Sequence, residues 1–383
     1  MVAAQRLDRQ NLMCLQMHLD GTNITFTRPM TTEGEGSMAT MPADAGEMTL
    51  MARETAEAAA AVERMLARNR RAFAALGERL RAAPPPVVVT CARGSSDHAA
   101  SYAKYLIETA VGVPTASAAP SIATLYDAPV APGYRLCLAI SQSGRSPDLV
   151  AAVKAQKKAG AYVVVIVNAE DSLLALLADL VISLDAGPER SVAATKSYIC
   201  SIAAIATLVA EWANDEPLRT AVADLPAGLE QAHNLDWSPA VQLLRGATNL
   251  FILGRGYGFG IAQEAALKLK ETCGLHAEPF SAAEVRHGPM AIVGPAFHVL
   301  AFGGSDRAGA TVREAADEFR ARGARLLLAD PGGGRDLPAL AAHHAIEPIL
   351  MIQSFYRMAN ALSLARGYHP DTPPHLKKVT ETL

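Results

Sequence analysis

Residues 136–147 read LCLAISQSGRSP, an apolar run that leads into a loop of serine, glutamine and glycine and then into a proline. A short apolar run bounded by turn-forming residues is typical of a buried strand in a parallel sheet. Pro147 suits the first turn of a helix, because the N–H that it lacks would have no partner there. The stretch therefore predicts a strand, a loop and a helix in succession, which is the building unit of doubly wound α/β folds.

The same alternation recurs along the chain. Short apolar or β-branched runs, separated by stretches rich in helix-forming residues, occupy positions 87–90, 136–140, 162–167, 180–184, 250–253, 298–302 and 325–328. A fixed offset of 162 residues takes Arg93-Gly94 onto Arg255-Gly256 and Ser143 onto Ser305. Duplicated units keep such residues in register, so the shared offset predicts a repeated α/β fold with two doubly wound parallel sheets.

The flanks of the two repeats differ in composition. Residues 48–81 are rich in Ala, Glu, Arg and Leu and are followed by three prolines at 84–86, which predicts a leading helix that stops there. Residues 1–47 show no sustained period, which predicts a poorly ordered tail. The predicted organisation is a tail at 1–47, a leading helix at 48–83, a first repeat at 84–235, a second repeat at 236–370 and a C-terminal tail at 371–383.

Composition narrows the function classes. The 383 residues carry a formal net charge of -3, so we expect no electrostatic binding to nucleic acid or to membranes. The five cysteines lack the paired spacing of zinc sites or disulfide frameworks, and we expect neither a metal nor a cofactor.

The most apolar segment, Ile199 to Ala210, is well short of the roughly 20 residues that cross a bilayer. No secretory signal is evident, which predicts a cytoplasmic protein.

Two serine-containing loops follow the first two strands, where a doubly wound sheet binds its ligands. The first serine loop, residues 92–97, reads ARGSSD, and the second serine loop, residues 141–147, reads SQSGRSP. Hydroxyls and glycine backbone suit a phosphate group, although each loop alone is also ordinary turn and helix-cap chemistry. In the second repeat Asp306 stands in the place of Gly144 and would repel a phosphate. We therefore expect one phosphorylated-sugar site per chain.

A second candidate cluster lies on the helix predicted after Gly256. Glu264, Lys268 and Glu271 are spaced i, i+4 and i+7 and share one helix face. The face has two interpretations, a solvated ion-pair surface or a carboxylate and an ammonium placed to move protons at carbon. The following residues, 276–289, add two histidines and further carboxylates, but without metal-ligand spacing.

These motifs resemble those of the sugar isomerase (SIS) domain family, and in particular the isomerase half of glutamine–fructose-6-phosphate aminotransferases. The matching stretches are SQSG at 141–144, VAATK at 192–196, ALKLKE at 266–271, HAE at 276–278, EVRHGP at 284–289 and LKKVT at 376–380. Together they span the chain from about residue 50 onward, and the ALKLKE and RHGP stretches are more specific than the serine loops.

The resemblance implies a role for each matching residue. It assigns the phosphate to Ser96, Ser141, Ser143 and Ser146, and the sugar to Ser95, Gln142 and Val192. It makes Glu271 the base that moves a proton between C1 and C2, His287 the ring-opening residue and Lys378 the lysine that forms a Schiff base with the ketose. In that family the histidine reaches the site from the neighbouring subunit, so the resemblance implies a homodimer with shared active sites. A Schiff-base lysine needs a lowered pKa, for which Lys377 is a candidate neighbour.

Departures from the synthases bear on the reaction. Position 145 is arginine where the synthases usually carry an acidic residue, residue 2 is valine, and about 80 residues precede the first repeat, too few for a glutaminase domain. Stand-alone double-SIS chains resemble deaminases, so we expect glucosamine 6-phosphate and water to give fructose 6-phosphate and ammonia. The alternatives are a fructose-6-phosphate aminotransferase fed by ammonia or by a separate glutaminase, and a fructosamine 6-phosphate deglycase. A non-enzymatic alternative is a sugar-phosphate sensor, although no DNA-binding segment is evident.

Overall fold

The computed structural model describes residues 48–333 and 336–378. The predicted tail at 1–47 and the end of the chain from residue 379 lie outside the described residues. The leading segment forms two helices, α1 (Leu50–Ala56) and α2 (Ala58–Ala82). The Thr49 side chain caps α1 by accepting the N–H of Ala52 at 3.1 Å, and α2 buries one apolar face.

The first repeat is built on a five-stranded parallel sheet in the order β2-β1-β3-β4-β5. Its strands are β1 (Val88–Cys91), β2 (Thr115–Ser117), β3 (Arg135–Ser141), β4 (Ala161–Val167) and β5 (Leu180–Ser183). The three central strands are almost completely buried, as expected for a sheet covered by helices on both faces.

The second repeat contains another five-stranded parallel sheet, in the order β10-β9-β8-β6-β7. Its strands are β6 (Asn249–Gly254), β7 (His276–Ser281), β8 (His298–Phe302), β9 (Arg325–Asp330) and β10 (Leu337–Pro338). Two tandem parallel sheets with a leading helical segment confirm the predicted fold class. The segment 276–281, for which the sequence analysis predicts no strand, is the edge strand β7.

Helices connect the strands on both sides of each sheet. They are α3 (Ser95–Val111), α4 (Pro120–Thr124), α5 (Pro147–Lys158), α6 (Leu173–Leu177), α7 (Lys196–Ala213), α8 (Glu216–Ala223), α9 (Leu225–His233), α10 (Ser238–Leu244), α11 (Tyr257–Cys273), α12 (Arg307–Ala321) and α13 (Glu347–Ala365). Two 3-10 helices, Glu284–Arg286 and Pro289–Ile292, follow β7.

The offset of 162 residues is visible in the structure. It maps both ends of α3 onto both ends of α11, and the glycine before each helix has the same unusual backbone, with φ and ψ of 54° and -130° at Gly94 and of 57° and -128° at Gly256. Such positive φ angles favour glycine, which explains why the Arg-Gly pair is kept at both places.

One hydrophobic core joins the two repeats. It gathers buried side chains of α2, α3, α7, α11 and α13, and α7 is buried along most of its length. The apolar segment Ile199 to Ala210 of the sequence thus forms most of α7 and lies within this core. In the described part of the chain, no helix combines the length and the apolar character that crossing a membrane requires.

Candidate active site

A cavity of about 580 Å³ lies at the carboxyl ends of the strands of the first sheet. We call it the main cavity. Its lining includes all seven residues that the sequence analysis assigned to the phosphate and the sugar, together with the lysine of the C-terminal tail: Ser95, Ser96, Ser141, Gln142, Ser143, Ser146, Val192 and Lys378. The structure therefore brings these eight residues together, and their roles toward a ligand stay predictions.

The second serine loop is held in one conformation by its own backbone contacts. The Ser141 hydroxyl accepts the N–H of Gly144 at 2.9 Å, and the carbonyl of Gly144 accepts the N–H of Leu174 at 3.2 Å. Gly144 has φ of +62°, and a Cβ at this position would lie 2.1 Å from the Ser172 hydroxyl. Glycine is therefore required here, and the loop enters the binding step already organised.

The first serine loop leads into the N-terminus of α3. A Cβ added at Gly94 would have no atom within 4 Å, so the backbone is open to an approaching ligand. Ser95 and Ser96 are the first two residues of α3, where backbone N–H groups have no partner within the helix. The two hydroxyls and the helix N-terminus together form a suitable environment for an anion.

Lys378 enters the main cavity from the C-terminal tail. Its Nζ donates to the carbonyl of Ser191 at 2.6 Å and lies 3.5 Å from Oε2 of Glu189, and a quarter of its side chain is exposed. The charged group that contacts Lys378 is thus a buried carboxylate, whereas Lys377 is exposed and forms no ion pair among the described residues. The expected contact between Lys377 and the Lys378 ammonium is therefore not seen among the described residues.

The loop that carries Val192 is fixed from two sides. Glu189 accepts the backbone N–H groups of Thr195 and Ser197 at 3.0 and 3.1 Å. Glu54 of α1 accepts the N–H of Ser191 at 3.2 Å. Burial is the main reason why the pKa of Glu54 is raised above its ordinary value, and the nearby Glu189 carboxylate adds to the effect. The leading helix thus helps to build the wall of the main cavity.

The face of α11 that carries Glu264 and Lys268 is buried, so the solvated ion-pair interpretation is wrong for these two residues. Glu264 is fully buried and accepts hydrogen bonds from Ser95 Oγ at 3.1 Å and Tyr356 Oη at 2.9 Å, and its Oε2 lies 2.9 Å from His98 Nδ1. Lys268 Nζ lies 3.5 Å from Glu264 and also pairs with Glu271.

Each member of the buried pair favours the charged form of the other. Burial alone would raise the pKa of the Glu264 carboxyl, but Lys268 and His98 hold it below its ordinary value. Burial alone would lower the pKa of the Lys268 ammonium, but Glu264 and Glu271 hold it above its ordinary value. Since Ser95 lines the main cavity and donates to Glu264, one hydrogen bond connects the cavity to this charged network.

Glu271 lies beyond the end of α3. Helices α3 and α11 run antiparallel, because Gly260 packs on the backbone of His98 while Glu264, one turn later, contacts Ser95. Glu271 is two turns further, about 10 Å along the axis, past the end of α3 that lines the main cavity. Its side chain is one-fifth exposed. Glu271 is not part of the cavity lining, and its ion-pair partner is the buried Lys268.

His287, like Glu271, does not line the main cavity of its own chain. It lies between the two 3-10 helices, and its side chain is exposed. Exposed Ile292 follows on the same segment.

Sequence reasoning missed several lining residues. Arg93, Ser197, Tyr198 and Ser201 also face the main cavity. The sequence offered one signal for these residues, namely that Arg93 recurs as Arg255 at the corresponding position of the second repeat. Among the described residues, no group of three or more His, Cys, Asp or Glu side chains could hold a metal ion.

The second repeat contains a nearly closed counterpart of the main cavity. About 10 Å³ remains between Arg255, Tyr257, Gly303 and Gly304, which correspond to Arg93, Ser95, Ser141 and Gln142. This volume is about enough for one water molecule. The bulky Tyr257 ring stands in the place of the small Ser95 side chain.

Carboxylates of the protein occupy the loop of the second repeat. The buried Glu347 side chain accepts the N–H of Ser305 at 2.8 Å, and Asp306 accepts the N–H of Gly309 at 2.8 Å as the cap of α12. The Ser305 N–H, which corresponds to that of Ser143 in the second serine loop, is thus already bonded to a carboxylate.

Calorimetric titration with fructose 6-phosphate is expected to give one site per chain, because in the described ranges the first repeat has an open cavity lined by serine hydroxyls and the second has about 10 Å³ at the corresponding place. A stoichiometry of two would mean that the second repeat opens on binding and that our explanation of Asp306 and Glu347 is wrong.

Comparison with known proteins agrees with this architecture. The family model of the SIS domain matches residues 85–211 and 243–360, one match in each repeat. The chain belongs to the SIS domain family. The two SIS domains follow in tandem, and the two serine loops that line the main cavity belong to the first of them.

Three relatives illustrate the similarity. A candidate phosphosugar isomerase from Silicibacter pomeroyi DSS-3 has 42% sequence identity and a TM-score of 0.80, over 85% of this chain and 100% of that chain. The C-terminal domain of glucosamine-fructose-6-phosphate aminotransferase from Francisella tularensis has 25% identity and a TM-score of 0.76, over 87% of this chain and 100% of that chain. The glutamine–fructose-6-phosphate aminotransferase of Aeropyrum pernix is 32% identical over 74% of this chain. The chain spans about half the length of the curated relatives it matches, 49% in that case.

Proposed function

We propose that this chain is a phosphosugar isomerase that also removes the amine, converting glucosamine 6-phosphate and water to fructose 6-phosphate and ammonia. The observation that carries the proposal is that both serine loops and Lys378 line one cavity. The loops supply donors for a phosphate, and the lysine supplies an amine that can form an imine with a ketose carbonyl.

The proposed chemistry has three parts. Glu271 moves a proton between C1 and C2, which interconverts the aldose and ketose forms. Lys378 forms an imine at C2 of the ketose as ammonia leaves, and water then releases the ketose from the lysine. The buried Glu264–Lys268 ion pair supports the role proposed for Glu271, because it holds in place the Lys268 ammonium that contacts Glu271.

The main cavity supports water, rather than glutamine, as the second substrate of the proposed reaction. Release of ammonia from an amino sugar needs one sugar site and water, whereas glutamine-dependent synthesis needs a second site at which glutamine is hydrolysed. Synthesis with ammonia from another protein stays the alternative.

An assay of ammonia release separates the candidate reactions. The purified protein should release ammonia from glucosamine 6-phosphate and produce fructose 6-phosphate, and glutamine should be inert. Release of a free amino acid from fructosamine-type 6-phosphates alone would favour the deglycase. Binding of phosphosugars with no turnover of any of them would favour the sensor.

We also propose that the active enzyme is a homodimer in which His287 completes the site of the partner subunit. The exposed position of His287, away from the main cavity of its own chain, supports this arrangement. An isologous dimer would place each copy of the segment in the same relation to the other chain.

Mixing two inactive variants tests the shared site. One variant carries Lys378→Ala and the other carries His287→Asn, and the subunits are exchanged before the assay. Each mixed dimer then contains one complete site, so random exchange should restore about a quarter of the wild-type activity. If His287 acted within its own chain, no site in the mixed dimer would be complete and mixing would restore nothing.

A further inference from the structure

An ion pair joins the two serine loops. Arg93 directly precedes Gly94 in the first serine loop, and Asp148 follows Pro147 in the first turn of α5, at the end of the second serine loop. Nε and Nη2 of Arg93 both lie 2.8 Å from Oδ2 of Asp148. The pair therefore connects the loop of Ser96 to the helix that begins after Ser146.

The two partners differ in exposure. The Asp148 side chain is 1% exposed, whereas that of Arg93 is 51% exposed and lines the main cavity. Within residues 48–333 and 336–378, Nη1 of Arg93 has no hydrogen-bond partner. The buried carboxylate thus holds the guanidinium from one side, and the remaining donors are free for a ligand.

Of the described residues, two cations line the main cavity, Arg93 and Lys378. Lys378 is already bonded to the Ser191 carbonyl and lies beside Glu189. A guanidinium presents paired donors in a plane that match two phosphate oxygens, and it keeps its charge at any working pH. Arg93 lines the main cavity and Asp148 does not, so the guanidinium lies between a phosphate in the serine loops and the buried carboxylate.

The second repeat provides an internal comparison. Arg255 corresponds to Arg93, but Ala310 stands in the place of Asp148. Arg255 forms no ion pair in the described ranges, and its cavity is nearly closed. Among the described residues, an arginine paired with a buried aspartate is therefore found in the repeat with the open cavity. The repeat with the nearly closed cavity has the arginine without this aspartate.

We propose that Arg93 is a specificity-determining ligand of the substrate phosphate and that Asp148 is its positioning residue. The proposal rests on the proposed function in that the ligand is a phosphosugar. It adds the charge of the Arg93 guanidinium to the donors of the two serine loops. It predicts that this part of the main cavity prefers the dianionic form of a phosphate group.

Calorimetry with fructose 6-phosphate and with inorganic phosphate tests the proposal. Arg93→Ala should weaken both ligands by roughly 10- to 100-fold, the loss expected for a charge-assisted hydrogen bond. Arg93→Lys should recover part of the affinity, because it restores the charge without the planar geometry. Unchanged affinity for both ligands in Arg93→Ala would overturn the proposal.

Arg255→Ala is the matched control, because it makes the same change at the corresponding position of the second repeat. It should bind both ligands as the wild type does, and an equal loss in the two variants would overturn the proposal. Thermal unfolding of each variant shows whether the fold is kept. If the wild-type protein bound inorganic phosphate but no phosphosugar, the proposed function would be contradicted. The role of Arg93 could still be tested by comparing the affinity of the wild type and of Arg93→Ala for inorganic phosphate.

A double substitution tests the role of Asp148. If Asp148 acts through Arg93, Asp148→Asn should weaken binding in the wild type but cause no further loss when Arg93 is already alanine. An equal loss from Asp148→Asn in both backgrounds would show that Asp148 acts independently and would overturn its assignment as the positioning residue.

Discussion

Glu271→Gln is expected to bind fructose 6-phosphate almost as the wild type does and to lose turnover by about 10²- to 10⁴-fold, the contribution typical of a general base. The amide keeps the size of the side chain and its acceptor oxygen toward Lys268, but it cannot take a proton from carbon. The fold should survive, because Lys268 retains its buried partner Glu264. Calorimetry and a steady-state assay on the same preparation measure the two quantities separately.

Glu278→Gln is the matched control for this experiment. It makes the same chemical change seven residues later, on the exposed side of the edge strand β7. We expect it to have wild-type activity. Near-normal turnover in Glu271→Gln would contradict the catalytic assignment and return Glu271 to the role of an ion-pair partner of Lys268.

Lys378 is expected to form a covalent adduct with the ketose. Incubation with fructose 6-phosphate and borohydride should reduce the imine and attach the sugar to Nζ, and peptide mass spectrometry should locate it on Lys378. Imine formation needs the neutral amine, so the contact with Glu189 must be broken or its proton transferred when the sugar binds. Lys378→Ala should lose both the adduct and the deaminase activity.

The neighbouring Lys377→Ala is the control, since Lys377 is exposed and outside the main cavity. It should keep the adduct and the activity. An adduct on Lys268 would move the covalent role to α11. Full activity of the wild type with no adduct on any lysine would contradict the imine and favour a route through an enediol and Glu271.

The repeated architecture could be predicted from the sequence because its signals are local. Buried parallel strands are short apolar runs, and Gly94 and Gly256 mark the same positive-φ turn in both repeats. The missed strands are edge strands of three, six and two residues, β2, β7 and β10. β7 contains His276, Glu278 and Pro279, and edge strands tolerate such residues because one side of the strand has no partner.

The charged network could not be predicted, because helical spacing is the same for a solvated and for a buried ion pair. Glu264 and Lys268 are buried by α3 and α13, which contribute Ser95, His98 and Tyr356 from distant parts of the sequence. The pairing of Arg93 with Asp148 was missed for the same reason, since 55 residues separate the partners. The serine loops were found because each is contiguous.

The assignments of Glu271, His287, Lys378 and the seven lining residues stay predictions until a ligand is observed. A crystal structure of the protein with fructose 6-phosphate is the most direct test. Our account predicts phosphate density between the two serine loops of the first repeat, with C2 of the sugar next to Nζ of Lys378 and no sugar in the second repeat. A phosphosugar bound at any other place, or with its phosphate remote from Ser96 and Ser143, would contradict the account.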